Sequence, residues 1–417
     1  MKIILATSGS RGDVQPMIAI CLALNASGHD AMLLGPPENA SWAAGLGCPY
    51  QGFGQDVSAF IGKFQTAFSL RSGLAFLLFV RKALEEQFRL LPDIIRKADL
   101  VVGSSLMFGL ASVAETRNIS YRYIAFTPQL FPSRFHPFPV LKTQTLPFLI
   151  NRMSWKTAEL LDQFNFTCLI NRYRKKHGLD PVPYAWDHIL GENTIVAADK
   201  EIAGMPGDVR QTWIQTGYPH LETAAEQVPA LDRFLEKGTR PVYAGFGSMP
   251  VKDQISIVPI LIKAARNLGR RIILPRFHGL STEHIAEHAA GKDVFFIRDY
   301  PHLRLFPRLD AVIHHGGAGT TATAGVSGVP QIIVPHILDQ YYHGRRIFLS
   351  HIGPEPIPRA MLTESRLTAA LEQCLFDPGI RQAAGKTGQS INPKKSLVRI
   401  VEAIVSPGQA DGMSPTG

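Results

Sequence analysis

Residues 311–340 read AVIHHGGAGTTATAGVSGVPQIIVPHILDQ, and this stretch gathers most of the side chains that could do chemistry. Residues 311–313 form a short apolar run of strand type, with His314 and His315 at its end. Gly316, Gly317 and Gly319 follow, and they let the backbone turn tightly and come close to a ligand. Thr320 and Thr321 fall where a helix should begin. A helix N-terminus supplies orphan N–H donors and the positive end of a dipole, so the turn is an anion site. A second strand over 331–334 leads to Pro335 and a loop carrying Asp339 and Gln340. Three readings fit. Gly317-Ala-Gly-Thr-Thr-Ala322 matches the dinucleotide fingerprint, with Asp339 about twenty residues on as the ribose-binding acid, although such a fingerprint normally opens its domain and this one comes late. A diphosphate site gives the paired histidines a reason, because an imidazole N–H can donate to a phosphate oxygen. A glycine-rich turn with no ligand is the third.

The same stretch resembles the donor-binding signature of family 1 glycosyltransferases of the GT-B fold. The similar elements are His-His-Gly-Gly-Ala-Gly-Thr-Thr (314–321), Gly328-Val329-Pro330, Pro335 and the closing Asp339-Gln340. Their spacing is closest to bacterial antibiotic glycosyltransferases and sterol glucosyltransferases. The resemblance implies that His315, Gly317, Gly319 and Thr320 hold the diphosphate of a nucleotide sugar, with Ser248 and Ser10 as further contacts. It implies that Asp339 and Gln340 hydrogen-bond the sugar. Plant relatives place a tryptophan under the base, two residues before the proline matching Pro301. Asp299 stands there in this chain, so Arg298 or Tyr300 is expected to stack on the nucleoside, and uridine and thymidine both stay open. The implied co-substrate is a UDP- or dTDP-sugar, with no bound cofactor. No D-x-D sequence occurs, so no metal site of the kind other glycosyltransferases use is expected.

Ser8-Gly-Ser-Arg-Gly-Asp13-Val-Gln-Pro16 follows the first apolar run, residues 2–6. Ligands of doubly wound sheets bind beyond the carboxyl ends of strands, which puts this turn on the ligand side. Antibiotic and sterol glucosyltransferases open on a similar motif and take its aspartate as the general base, so Asp13 is expected to accept the proton of an acceptor hydroxyl. Many plant relatives use a histidine in this loop, but none precedes His29 here. An aspartate is a weak base in water, so its site has to raise its pKa or act late in the transition state. The competing role for Asp13 is to cap the helix that follows.

Positioning these groups takes two α/β domains. A chain of 417 residues is too long for one ordinary core, and two domains of about 200 residues are expected. Residues 2–6, a helix over 14–26 and a strand over 31–34 make a βαβ opening and imply a parallel, doubly wound sheet. The pattern restarts at 241–244 with the turn 245–248 and a helix over 255–268. The expected layout is an acceptor domain over 1–216, a linker over 217–238, a donor domain over 239–405 whose last helix packs back on the first, and a disordered tail over 406–417. With the resemblance above, this layout implies a GT-B architecture, two Rossmann-like parallel-sheet domains facing a central cleft.

Hydrophobic content of 45% and charged content of 18% exclude a disordered chain. The net charge of +9 fits nucleic acid, an anionic membrane surface or an anionic small ligand. No dense Lys/Arg run of nuclear-localisation type is present, residues 172–176 being the nearest, so nucleic acid ranks last and no nucleic-acid partner is expected. Four scattered cysteines suggest neither disulfides nor a zinc site. The first residues are too short an apolar run for a signal peptide, and a cytoplasmic location is expected. Residues 57–97 are helical and rich in Phe, with Arg71, Arg81, Lys82 and Arg89 beside them. Residues 126–155 hold many Phe and Pro and read as an irregular loop. These phenylalanines are core, or they line a cleft for an apolar acceptor, or they contact an inner-membrane surface peripherally. The oligomeric state is open. The sequence therefore reads as an inverting hexosyltransferase acting on a hydroxyl of a lipophilic acceptor. A nucleotide-sugar epimerase of the same fold and a non-catalytic sugar-nucleotide-binding partner are the other readings. Loss of turnover would place no demand on Asp13, His315, Asp339 and Gln340 together.

Overall fold

The structure is a computed structural model and describes residues 1–55, 70–224, 227–247, 249, 251–276 and 292–406. Ser248, the first part of the Phe-rich stretch and the tail from 407 lie outside the described residues. The chain divides into two compact units. The first comprises Met1–Lys200, Gly204–Leu221 and the C-terminal segment from Pro393; the second comprises Glu201–Ala203 and Glu222–Asn392.

The first unit holds strands β1 (Lys2–Ala6), β2 (Asp30–Gly35), β3 (Tyr50–Gly52), β4 (Leu100–Ser104), β5 (Ser120–Ala125), β6 (Thr194–Val196) and β7 (Trp213–Gln215). They form one parallel sheet in the order β3-β2-β1-β4-β5-β6-β7. β1 and β4 are almost wholly buried, as a strand covered by helices on both faces must be, which is why they read as unbroken apolar runs. Met17, Ile18, Ile20 and Leu24 of the Arg11–Ala26 helix pack on one face, each contributing about 1.5–3 kcal/mol by burial. The C-terminal Pro393–Val405 helix joins the same cluster through Ile400, Val401 and Ile404.

The second unit holds β8 (Val242–Gly245), β9 (Ile272–Pro275), β10 (Val294–Ile297), β11 (Ala311–His314) and β12 (Gln331–Ile333). These are also all parallel, in the order β10-β9-β8-β11-β12. In both sheets the first strand of the unit lies in the interior, and the chain winds outward to one side and then to the other. The switch falls between β1 and β4 in the first unit and between β8 and β11 in the second. Loops leaving neighbouring strands in opposite directions open a crevice there, beyond the carboxyl ends.

Four expectations are corrected. The stretch 126–155 is irregular only as far as Pro147; the Phe148–Asp162 helix begins there because no proline interrupts the following residues. Within the expected linker, Pro229–Glu236 is a helix whose Leu231 and Leu235 are buried in the second unit. The helix after the glycine turn starts at Ala318, before Thr320, with Gly317 as its N-cap. Asp339 and Gln340 are the first residues of the Asp339–Leu349 helix and not part of a loop.

Candidate active site

At the first switch point the loops after β1 and β4 meet through one carboxylate. Ser10 is the N-cap of the Arg11–Ala26 helix and Asp13 its third residue. Asp13 Oδ2 accepts the Ser10 backbone N–H at 2.8 Å and the Ser10 hydroxyl at 3.2 Å. The Ser105 hydroxyl, one residue beyond β4, donates to Asp13 Oδ1 at 2.7 Å. Asp13 thus does help to start the helix, as the carboxylate partner of a capping box. A cap needs only one of its oxygens; the second is held from another strand. Ser105 has φ +51°, the left-handed region that costs a non-glycine residue about 1–2 kcal/mol. It is kept there by the Tyr123 hydroxyl, which donates to its carbonyl at 2.9 Å. Gly9 fits because it has no side chain: a Cβ would collide with the Asp13 carboxylate and lie 2.8 Å from Asp13 Cβ. Burial pushes the Asp13 carboxyl above its ordinary value, while the donors on Ser105 and Ser10 pull it back down. The result is a partly solvent-accessible carboxylate, rigidly oriented and more basic than one in water.

At the second switch point an imidazole sits between two glycines. A Cβ on Gly247 would lie 3.0 Å from His315 Cε1, and one on Gly317 would lie 2.5 Å from His315 Nε2. Gly247 also has φ +55°, which the turn after β8 requires. The His315 Nδ1 atom is buried without a hydrogen-bond partner among the described residues. Burial, with His314, His336 and His343 nearby, pushes His315 down to about 3 against an opposing backbone hydrogen bond with Gly245, so the ring is neutral at physiological pH and carries one N–H donor. Ala318, Gly319 and Thr320 occupy the first turn of the nine-residue helix, so their N–H groups have no partner within it. His314 has a structural task. It is fully buried, its Nε2 lies 2.9 Å from Gln331 Oε1, and its Nδ1 accepts the Gly316 N–H at 3.1 Å. Those partners fix the neutral ring and hold the turn at Gly316, whose φ is +91°.

The remaining expected residues divide. Asp339 opens its helix with a third of its side chain exposed and lies 3.6 Å from His343 Nδ1. Gln340 is only 4% exposed, and its Oε1 accepts the N–H groups of His336 at 2.8 Å and Ile337 at 3.1 Å. Its carbonyl therefore braces the turn around Leu338, which has φ +46°. Arg298 is exposed just past β10, while Tyr300 packs partly against the core beside Tyr243 and Phe306. Ser10 is committed to Asp13 in the first unit. Ser248 is outside the described residues.

The chain is 33% identical over 387 residues to the vancomycin aglycone glucosyltransferase of Amycolatopsis orientalis, covering 90% of each protein. It belongs to the family 1 GT-B glycosyltransferases. Residues 282–405 match the family described as erythromycin biosynthesis protein CIII-like, C-terminal domain. The sterol 3-beta-glucosyltransferase UGT80B1 of Arabidopsis thaliana is 28% identical over 97% of this chain and 67% of that protein. The fold matches that of the glycosyltransferase VinC, solved in complex with DTDP, at a TM-score of 0.66, with 18% identity over 96% of this chain and 100% of that one.

Read as a glycosyltransferase, the chain carries further candidate site residues that its motifs did not single out. Ser105 and Tyr123 orient Asp13, and Gly9 and Gly247 make room for Asp13 and His315. A signal for Ser105 was present: an apolar run, Leu-Val-Val, ending in Gly-Ser-Ser is the second wall of a switch point once the strand order is known. No helix among the described residues is long and apolar enough to cross a membrane.

Proposed function

We propose that this glycosyltransferase moves a hexose from a UDP- or dTDP-sugar to a hydroxyl of a lipophilic acceptor in one inverting displacement. The first unit is the acceptor domain and the second the donor domain. Asp13 takes the proton from the acceptor hydroxyl as its oxygen attacks the anomeric carbon. The bond from that carbon to the diphosphate oxygen breaks, and the bonding pair leaves with the nucleoside diphosphate. Neutral His315 and the free N–H groups of Ala318, Gly319 and Thr320 stabilise the departing charge as fixed donors, which need no reorganisation during the reaction. Asp339 and the amide end of Gln340 orient the sugar, Ser248 assists at the diphosphate, and Arg298 and Tyr300 receive the nucleoside.

The observation that carries this reading is the Asp13 carboxylate, whose basicity is raised by burial and whose second oxygen is oriented from a separate strand by Ser105. The glucosyltransferase relatives named for an aglycone and a sterol support a lipophilic acceptor. The DTDP complex of a structural neighbour supports a nucleoside diphosphate donor. Peripheral contact with an anionic inner-membrane surface, where such acceptors collect, belongs to the same reading. The test is the product of an α-linked donor. A β-glycoside formed only with acceptor present is expected. A retained α-configuration refutes the single displacement, and isomerised donor without acceptor identifies an epimerase.

A further inference from the structure

We propose that the Phe148–Asp162 helix is a docking surface for an anionic lipid bilayer. The proposal assigns the peripheral contact suggested above to one face of one helix, and it rests on that reading only for the benefit docking brings. The inward side of the helix, Asn151 and Trp155, is pinned to the preceding loop: Asn151 Nδ2 donates to the carbonyls of Arg134 at 2.8 Å and Leu146 at 3.2 Å, and the Trp155 ring packs edge-on against Phe138. Trp155 Nε1 donates to the His136 carbonyl at 3.1 Å, and the Phe138 N–H donates to Ser154 Oγ at 2.9 Å. Its outward side is apolar. Leu149, Met153 and Leu160 are 69%, 56% and 67% exposed, Ile150 and Leu161 are 45% and 67% exposed, and Phe164, just past the end of the helix, is 86% exposed. At 3.6 residues per turn, Leu149, Ile150, Met153, Leu160 and Leu161 share a stripe on the side away from Asn151 and Trp155. Turning the helix to bury them would break all four of those hydrogen bonds, so the exposure is built in.

The patch is concentrated. Of the seventeen large apolar residues exposed among the described residues, ten lie between 135 and 164. Monomers rarely leave so contiguous an apolar face uncovered without a partner. Charge identifies that partner. Arg152 and Lys156 lie along one edge of the stripe, with Lys156 one turn from both Met153 and Leu160. The Arg134 guanidinium lies 5.0 Å from the Phe135 ring and 5.6 Å from the Phe148 ring, at the start of the helix. Asp162 accepts the Thr167 hydroxyl at 2.6 Å, which leaves Glu159 as the exposed acid of the helix. An apolar stripe with a basic edge and aromatic ends suits the headgroup boundary, where the stems of Lys and Arg bury and their charges reach phosphate. A second copy of the chain would set the same basic edge against itself, which opposes pairing.

The experiment uses the full chain in sedimentation with vesicles of phosphatidylcholine alone and of phosphatidylcholine and phosphatidylglycerol in equal parts. Wild type should sediment with the anionic vesicles, less so at high salt, and not with phosphatidylcholine alone. Leu160→Glu with Leu161→Glu should lower partitioning at least about tenfold, because two buried side chains are lost and like charge is added. Melting temperature and donor hydrolysis in vesicle-free solution should stay unchanged. Arg152→Glu with Lys156→Glu should abolish the preference for anionic lipid. Three results overturn the proposal: no wild-type binding at low salt, equal binding by the leucine variant, or a vesicle-free dimer that this variant dissolves. A raised acceptor KM of the leucine variant in vesicle-free solution also overturns it, since the face would then belong to the acceptor site. Vesicle binding with no sugar transfer to any acceptor would remove the acceptor reading and leave the docking surface standing.

Discussion

Asp13→Asn separates a general base from a helix cap, and the geometry says why the comparison is clean. The Ser10 backbone N–H is an obligatory donor, and the amide oxygen of asparagine can accept it where Asp13 Oδ2 does now. The amide nitrogen then faces Ser105, whose hydroxyl can turn to accept, so the bond between the two loops survives in reverse. Burial already disfavours the carboxylate, so neutralising it does not strip a strong ion pair from the fold. The melting temperature and the donor affinity should therefore stay near wild type. What is lost is the proton acceptor. General-base contributions of about 10²–10⁴-fold put the expected drop in kcat at no less than about 100-fold, or about 2.7 kcal/mol of transition-state stabilisation. Steady-state transfer kinetics, titration calorimetry with the nucleoside diphosphate and a thermal melt give the three numbers. A large fall in melting temperature with activity per folded molecule retained would make Asp13 structural. Full activity at normal stability would send the search for a base elsewhere, and the buried His136 ring, packed against Trp155, would then have to be reconsidered.

Ser105→Ala removes a donor that lowers the Asp13 pKa, so the acid limb of kcat/KM should move to higher pH; Ser105→Gly should do the same while relieving the backbone at φ +51°. The same raised pKa means that the folded state binds the Asp13 proton more tightly than the unfolded one. Its contribution to stability is then greatest at acid pH and falls as pH rises from the ordinary aspartate value through the raised one, a loss that Asp13→Asn should remove from urea titrations. His315→Ala should weaken nucleoside diphosphate binding by about 0.5–1.5 kcal/mol, the range for a neutral donor, and Gly317→Ala should cost at least as much by displacing the ring; unchanged calorimetric affinity in both would remove the diphosphate from this turn. Gln340→Ala strands the N–H groups of His336 and Ile337 and should destabilise the fold by about 1–3 kcal/mol, whereas Asp339→Asn should keep the melting temperature and lose sugar transfer; equal loss of the bare nucleotide in both would return the stretch to a dinucleotide site.

What could be read in the sequence was what short-range chemistry dictates. Buried parallel strands must be apolar, so β1, β4 and β11 stand out as runs, and the glycine- and hydroxyl-rich turn 316–321 stands out as composition. Ser105 was not visible because its role depends on β4 lying beside β1, across 92 residues of sequence. Gln340 was half visible: its identity suggested a sugar contact, but its carbonyl serves the backbone of a turn that only the fold creates. The Phe148–Asp162 helix was hidden by the prolines before it and by a polarity pattern that faces the wrong way for a core helix. The Pro378–Ser390 helix went unmarked because of Gly379, Gly385 and Gly388, although Asp377 followed by proline is a strong start signal and the Asp377 carboxylate does accept the Gly379 N–H at 2.7 Å.

The segment that begins at Pro393 has a consequence for how the protein is made. A ribosome finishes the seven strands of the first sheet by Gln215, then synthesises the whole second unit before the Pro393–Val405 helix exists. Until then Met17, Cys21 and Leu24 share a core that lacks Ile400, Val401 and Ile404. The first unit to be translated is thus the last to be completed, and the second can close while its neighbour still exposes an apolar seam. A chain truncated before Pro393 should leave that seam open for good, so premature termination even close to the end yields an aggregation-prone molecule and not a shorter enzyme. The second unit carries all its strands within Glu222–Asn392, and its core takes from the earlier chain only the short piece with Ile202 and Ala203, which is already made when those strands are.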